Sequence, residues 1–105
     1  LTIILKSRKG QKIGFRMPAD KTALELISAS GVPVVAPSAN LSGRPAPVTA
    51  EEAMTDLEGK IDMVIDGGRT EVGLESTVVD LTVDPFKVLR AGAIKEEELS
   101  KALNE

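Results

Sequence analysis

Val34-Val35-Ala36-Pro37-Ser38-Ala39-Asn40-Leu41-Ser42-Gly43-Arg44-Pro45 is the stretch on which the reading of this chain turns. An apolar run stops at a proline, and serines, an asparagine, a glycine and an arginine follow at once. A buried strand that opens abruptly into a small-polar loop is a common way to set hydroxyls, amides and backbone N–H groups around a ligand. Val34–Ala36 is therefore expected to enter a sheet, and the loop after it to form one half of a binding site.

Upstream, Thr2-Ile3-Ile4-Leu5 is a continuous apolar run rich in β-branched residues and reads as a buried strand. The polar turn that follows carries the cations Lys6, Arg8, Lys9 and Lys12, either as a solvated hairpin loop or as an anion or RNA contact. Ile13 to Pro18 reads as a second strand. Ile13, Phe15 and Met17 alternate with Gly14 and Arg16, so Arg16 shares a face with the glycine and lies opposite the apolar set. An arginine beside a glycine has room to fork onto a carboxylate or phosphate, and a surface salt bridge is the competing reading. Asp20 can cap a helix over 21–30 with Ala23, Leu24 and Ile27 inward, ended by Gly31 and Pro33.

Downstream, Thr49 and Glu52 fit a capping box for a helix over 49–57, with Ala53, Met54 and Leu57 on one side and Gly59 at its end. Capping explains these two residues better than catalysis does. Ile61 to Ile65 reads as a strand, broken by Asp66-Gly67-Gly68. That glycine pair permits a tight turn or a close approach to an anion, but it is no GxGxxG fingerprint. Gly73 to Leu81 reads as a strand whose start carries Glu75, Ser76 and Thr77. Residues 77–90 read as a hairpin ending at Arg90, and 94–104 as a helix with Leu99, Ala102 and Leu103 inward. The order ββαβαβββα implies an α/β or α+β fold, a twisted mixed sheet with helices packed on it.

Composition narrows the chemistry. The 105 residues fit one domain or a piece of one, and the start at Leu1, directly in a strand-like run, suggests a larger, here incomplete, domain. The net charge of −3 argues mildly against a free-standing nucleic-acid binder. With no cysteine and no histidine, thiolate nucleophiles, Ser-His triads and the commonest metal ligands are excluded, so no catalytic residue and no metal site is assigned. No apolar run reaches ~18 residues, so no membrane span is expected and the expected location is the cytoplasm. The polar residues left at strand ends are Arg16, Ser38, Asn40, Ser42, Arg44, Ser76, Thr77 and Arg90. Guanidinium and hydroxyl donors suit a phosphate or a carboxylate, and hence nucleotidyl or acyl transfer by positioning and charge stabilisation.

These residues resemble the YrdC-like family of threonylcarbamoyl-AMP synthases. The resemblance rests on Leu1–Leu5, Gly14-Phe15-Arg16-Met17-Pro18, Ala36-Pro37-Ser38-Ala39-Asn40-Leu41-Ser42-Gly43, Ile65-Asp66-Gly67-Gly68, Gly73-Leu74-Glu75-Ser76-Thr77-Val78-Val79-Asp80 and Leu89-Arg90-Ala91-Gly92, in the family's order. It implies an enzyme that converts ATP, L-threonine and bicarbonate to threonylcarbamoyl-AMP and pyrophosphate, for modification of the tRNA adenosine beside the anticodon through downstream transfer proteins. It implies that Arg16 holds the threonine carboxylate, that Ala36 and Ser76 line the threonine pocket, and that Ser38, Asn40 and Arg90 stand on the ATP side. Any Mg²⁺ would arrive with the nucleotide. Residues 1–105 would be the C-terminal half of such a domain, inactive alone, since the family's Lys-x-Arg and threonine-rich motifs lie upstream of the matched segments.

Other readings compete. A non-catalytic YrdC-like module could contact tRNA through Lys6, Arg8, Lys9, Lys12 and Arg44. The related carbamoyl-adenylate-handling domain of hydrogenase maturation is a family-level alternative. An exposed sheet edge would also invite self-association.

Overall fold

The computed structural model describes residues 1–70 and 74–104. The part of the motif at Gly73 lies outside them. The chain divides into two compact units. One is Leu1–Asp20 with Leu74–Glu105, and the other is Lys21–Gly73.

The first unit holds a four-stranded sheet in the order β2-β1-β3-β4, from β1 (Thr2–Lys6), β2 (Lys12–Phe15), β3 (Val78–Asp80) and β4 (Lys87–Arg90). β1 pairs antiparallel with β2 and parallel with β3, and β3 pairs antiparallel with β4, so the sheet is mixed. The β1–β2 turn closes through Gly10, whose φ of 83° is the left-handed conformation that glycine adopts without penalty. The core centres on β3. Val79 and Thr77 are almost fully buried, and Leu99 of α3 (Glu96–Asn104) is buried as well. Thr77 Oγ1 donates to Ile94 O at 2.6 Å and accepts from Ile94 N at 3.0 Å, tying the lead-in to α3 to the start of β3. Of the inward stripe expected on α3, only Leu99 is buried; Leu103 is 50% exposed and Ala102 is exposed too.

The second unit contains α1 (Lys21–Ser30) and α2 (Ala50–Leu57). Ala23, Leu24 and Ile27 are the least exposed residues of α1, as the apolar spacing requires, and Gly31 ends it at φ 67°. Thr49 caps α2, its side chain accepting from Glu52 N at 3.1 Å. Glu52 Oε2 reaches back to Val48 N at 2.8 Å, so the capping box closes one residue earlier than the standard form.

Two expectations are corrected. Val34–Ala36 and Ile61–Ile65 join no sheet among the described residues. Val35 is 96% exposed, and Met63 is mostly exposed. A strand exists only when its N–H and C=O groups find a ladder partner, and apolar composition cannot supply one. Likewise the Ile13, Phe15, Met17 set was expected to face a core. β2 is an edge strand, and Met17 is 82% exposed.

Candidate anion-binding site at the sheet end

The register brings the expected residues of the first unit to one end of the sheet. Thr2 pairs with Val78, Val78 pairs with Arg90, and Ile3 pairs with Phe15, so Arg16 emerges level with Thr2. Residues directly opposite on antiparallel strands share a face. Gly14 confirms the face: a Cβ there would lie 3.5 Å from the Thr2 Cγ2 methyl. Arg16 lies just past the end of β2, where the strand's alternation carried on by one residue would set it on that face. Among the described residues its guanidinium has no acidic partner.

Ser76 sits just before β3 and is only 6% exposed. Its hydroxyl lies 2.8 Å from Thr2 Oγ1. Arg90, at the end of β4, reaches across to it. Nε and Nη2 both donate to Ser76 O, at 3.0 and 2.9 Å, and Nη2 also donates to Ser76 Oγ at 3.0 Å. Nη1 donates to Glu75 Oε1 at 3.0 Å. A guanidinium has five N–H donors, so these four bonds leave one, on Nη1, for another group. Gly92 makes room for the bend: any Cβ at that position would collide with Glu75 O and Thr77 N.

Since arginine can only donate, Ser76 Oγ accepts from Arg90. Within the Thr2–Ser76 pair one hydroxyl donates to the other, and the second proton is left over. Whichever way the pair is polarised, one O–H is left to donate, and such a donor suits a carboxylate or phosphate oxygen.

Asp80, in β3, is buried. It accepts from Lys12 Nζ at 2.7 Å, from Thr82 N at 2.8 Å and from Thr82 Oγ1 at 2.6 Å. The Lys12 bond, then those from Thr82, hold its carboxyl at about 2, below the usual 3.8. Lys12, grouped by sequence with the candidate RNA contacts, is thus committed to an ion pair. Lys6, Arg8 and Lys9 form none among the described residues.

The second unit holds Ala36, Ser38 and Asn40. Ala36 and Ser38 are exposed, on a segment without regular secondary structure. Asn40 Nδ2 donates to Leu41 O and Arg44 O, both at 3.0 Å, closing the loop on itself, and Gly43 turns at φ 82°. Arg44 is engaged too, with Nε 3.0 Å from Asp56 Oδ1. The Gly67-Gly68 turn is accounted for locally: Gly68 N donates to Asp66 Oδ1 at 2.9 Å. Sequence reasoning missed Thr2 and Asp56. No local motif marks either one, because each acts through a tertiary bond. Among the described residues no cluster of metal-ligating side chains occurs, and no helix is long and apolar enough to cross a membrane.

A mixed sheet, gathering arginines and hydroxyls at one end, and the helices that accompany it define an α+β domain. The comparisons identify which one. The Sua5/YciO/YrdC family model, described as telomere recombination, matches residues 1–92, and the chain belongs to this family. It is 48% identical over 93 residues to a threonylcarbamoyl-AMP synthase of Pyrococcus abyssi, covering 89% of this chain and 27% of that protein. It is 44% identical to the Bacillus subtilis threonylcarbamoyl-AMP synthase over 89% of this chain and 27% of that one. In three dimensions it matches Pyrococcus abyssi Sua5 complexed with L-threonine at a TM-score of 0.90 and 42% identity, over 99% of this chain and 33% of that one. The chain therefore spans about a quarter to a third of the length of these relatives.

Proposed function

We propose that this chain is the part of a threonylcarbamoyl-AMP synthase that holds L-threonine and one side of ATP, the C-terminal half of a YrdC-like domain. The observation that carries the reading is the 48% identity to a threonylcarbamoyl-AMP synthase. The fit to a relative solved with L-threonine supports it. In this reading Arg16 pairs with the threonine carboxylate, and Ala36 and Ser76 line its pocket. Ser38, Asn40 and Arg90 stand on the ATP side. The Arg16 guanidinium, and the one proton that the Thr2–Ser76 pair does not spend internally, supply the donors that such a carboxylate needs.

The reaction needs positioning more than a nucleophilic side chain. The threonine amine attacks the bicarbonate carbon, forming a C–N bond, and as water leaves an N-carboxylate results. One of its oxygens attacks the α-phosphorus of ATP, forming a P–O bond as the bond to pyrophosphate breaks. Fixed N–H and O–H donors neutralise charge on the phosphates without reorganising. Magnesium, if used, arrives on the nucleotide; the described residues do not fit a resident metal, and no step here runs through one. The product would pass to transfer proteins and then to tRNA in the cytoplasm. Lys6, at the end of β1, and Arg8 and Lys9 on the turn after it form no ion pair among the described residues, which favours a tRNA contact there as a second role.

The test uses the full-length protein that carries this chain. Threonine-dependent pyrophosphate release from ATP in bicarbonate buffer is expected. Arg16→Ala should raise KM for threonine about tenfold or more, the loss of roughly 1.4 kcal/mol of binding. Absence of threonine-dependent release from the wild type would sink the reading.

A further inference from the structure

Asp56 is an acid in the last turn and a half of α2, yet it is only 6% exposed. A carboxylate is rarely buried unless it is paired, because leaving water costs a charged group heavily. Its partners come from the Pro37–Arg44 loop. Leu41 N donates to Oδ2 at 3.0 Å. Arg44 Nε lies 3.0 Å from Oδ1, an ionic contact whose direction falls short of a hydrogen bond. The residues flanking this grip are locked to each other, since Asn40 Nδ2 holds Leu41 O and Arg44 O and Arg44 N donates to Leu41 O at 3.0 Å.

The loop is thus closed on itself, and Asp56 fastens it to α2. We propose that Asp56 is the positioning residue of this loop: it fixes the backbone at Leu41 and so the direction in which Ser38 faces the nucleotide. Arg44 serves the same anchor, its guanidinium paired with the Asp56 carboxylate at 3.0 Å. The proposal rests on the reading that this loop stands on the ATP side. The anchoring itself follows from the geometry alone.

The two can be separated in the full-length protein. Asp56→Ala removes both contacts. Asp56→Asn keeps an acceptor for Leu41 N, and Arg44→Gln removes only the counter-charge. Amide hydrogen exchange at Leu41 reads the anchor. It should speed up at least tenfold in Asp56→Ala and stay near wild type in Asp56→Asn. Steady-state kinetics read its use. KM for ATP should rise about tenfold in Asp56→Ala with KM for threonine within twofold, and Asp56→Asn should recover most of the loss. Should Asp56→Ala fail to fold, Arg44→Gln should still raise KM for ATP severalfold without moving KM for threonine. Unchanged Leu41 exchange in Asp56→Ala overturns the anchor. Faster exchange with an unchanged KM for ATP, or equal rises for both substrates, overturns the positioning role. A wild type without threonine-dependent turnover defeats the functional reading instead, and Leu41 exchange still decides the anchor.

Discussion

Arg90 grips Ser76 at two of its oxygens: Nε and Nη2 on the carbonyl at 3.0 and 2.9 Å, and Nη2 on the hydroxyl at 3.0 Å. An arginine at the end of an edge strand thereby fixes a buried serine that precedes a central one. The planar fork matters, because only a guanidinium can place parallel N–H groups on one carbonyl while turning another toward the neighbouring hydroxyl.

Replacing Arg90 by lysine keeps the charge and loses the fork. Arg90→Lys should lower stability by about 1–2 kcal/mol, toward the lower end of charge-assisted bonds because the side chain is partly exposed. Denaturant melts check this. A variant as stable as the wild type would mean that the fork contributes little.

Gly92 is a second, sterically sharper test. Its missing Cβ lets the chain after β4 pass against the backbone of Glu75 to Thr77. Backbone cannot swing aside as a side-chain end can. Gly92→Ala should cost about 2–3 kcal/mol, near the upper range for overpacking, and should loosen Ser76 with it. Retention of the wild-type melting midpoint would argue that the segment relaxes freely.

Asp80 predicts a pH dependence. Its folded-state carboxyl titrates at about 2 against an ordinary 3.8, so the unfolded chain takes up the proton first on acidification. The stabilisation from Lys12 and Thr82 is complete above about pH 4 and is lost as the pH falls through that value toward about 2. Asp80→Asn should be less stable near neutrality and should lose less on acidification. Denaturation midpoints across that window would settle the matter, and parallel curves for the two proteins would rule Asp80 out as the source.

The sequence was most legible where structure is local. Thr49 with Glu52, Gly31 after Ser30, the β1–β2 turn and the hairpin ending at Arg90 all follow from near-neighbour chemistry, and all stand where expected. Val34–Ala36 and Ile61–Ile65 were not legible in this sense. Their β-branched composition signals a strand, but strandhood depends on a partner that composition does not name. The site divided along the same line. Arg16, Ser76 and Arg90 could be singled out as polar residues at strand ends. Thr2 looked like one more β-branched residue of a buried run until the parallel pairing put its hydroxyl beside Ser76. Asp56 looked like an ordinary helix acid until its burial showed what it holds.

The Thr2–Ser76 bond joins residues 74 positions apart. On a ribosome adding about 5–20 residues per second, Thr2 would wait roughly 4–15 s for its partner to be made. Through that interval the β1–β2 hairpin must persist without its β3 neighbour, one strand flank open. The hydroxyl pair can thus form only after the whole of the second unit, which precedes β3, β4 and α3 in the chain, has been made. The nascent hairpin, with Phe15 and Met17 on its surface, is the species for a chaperone to shield.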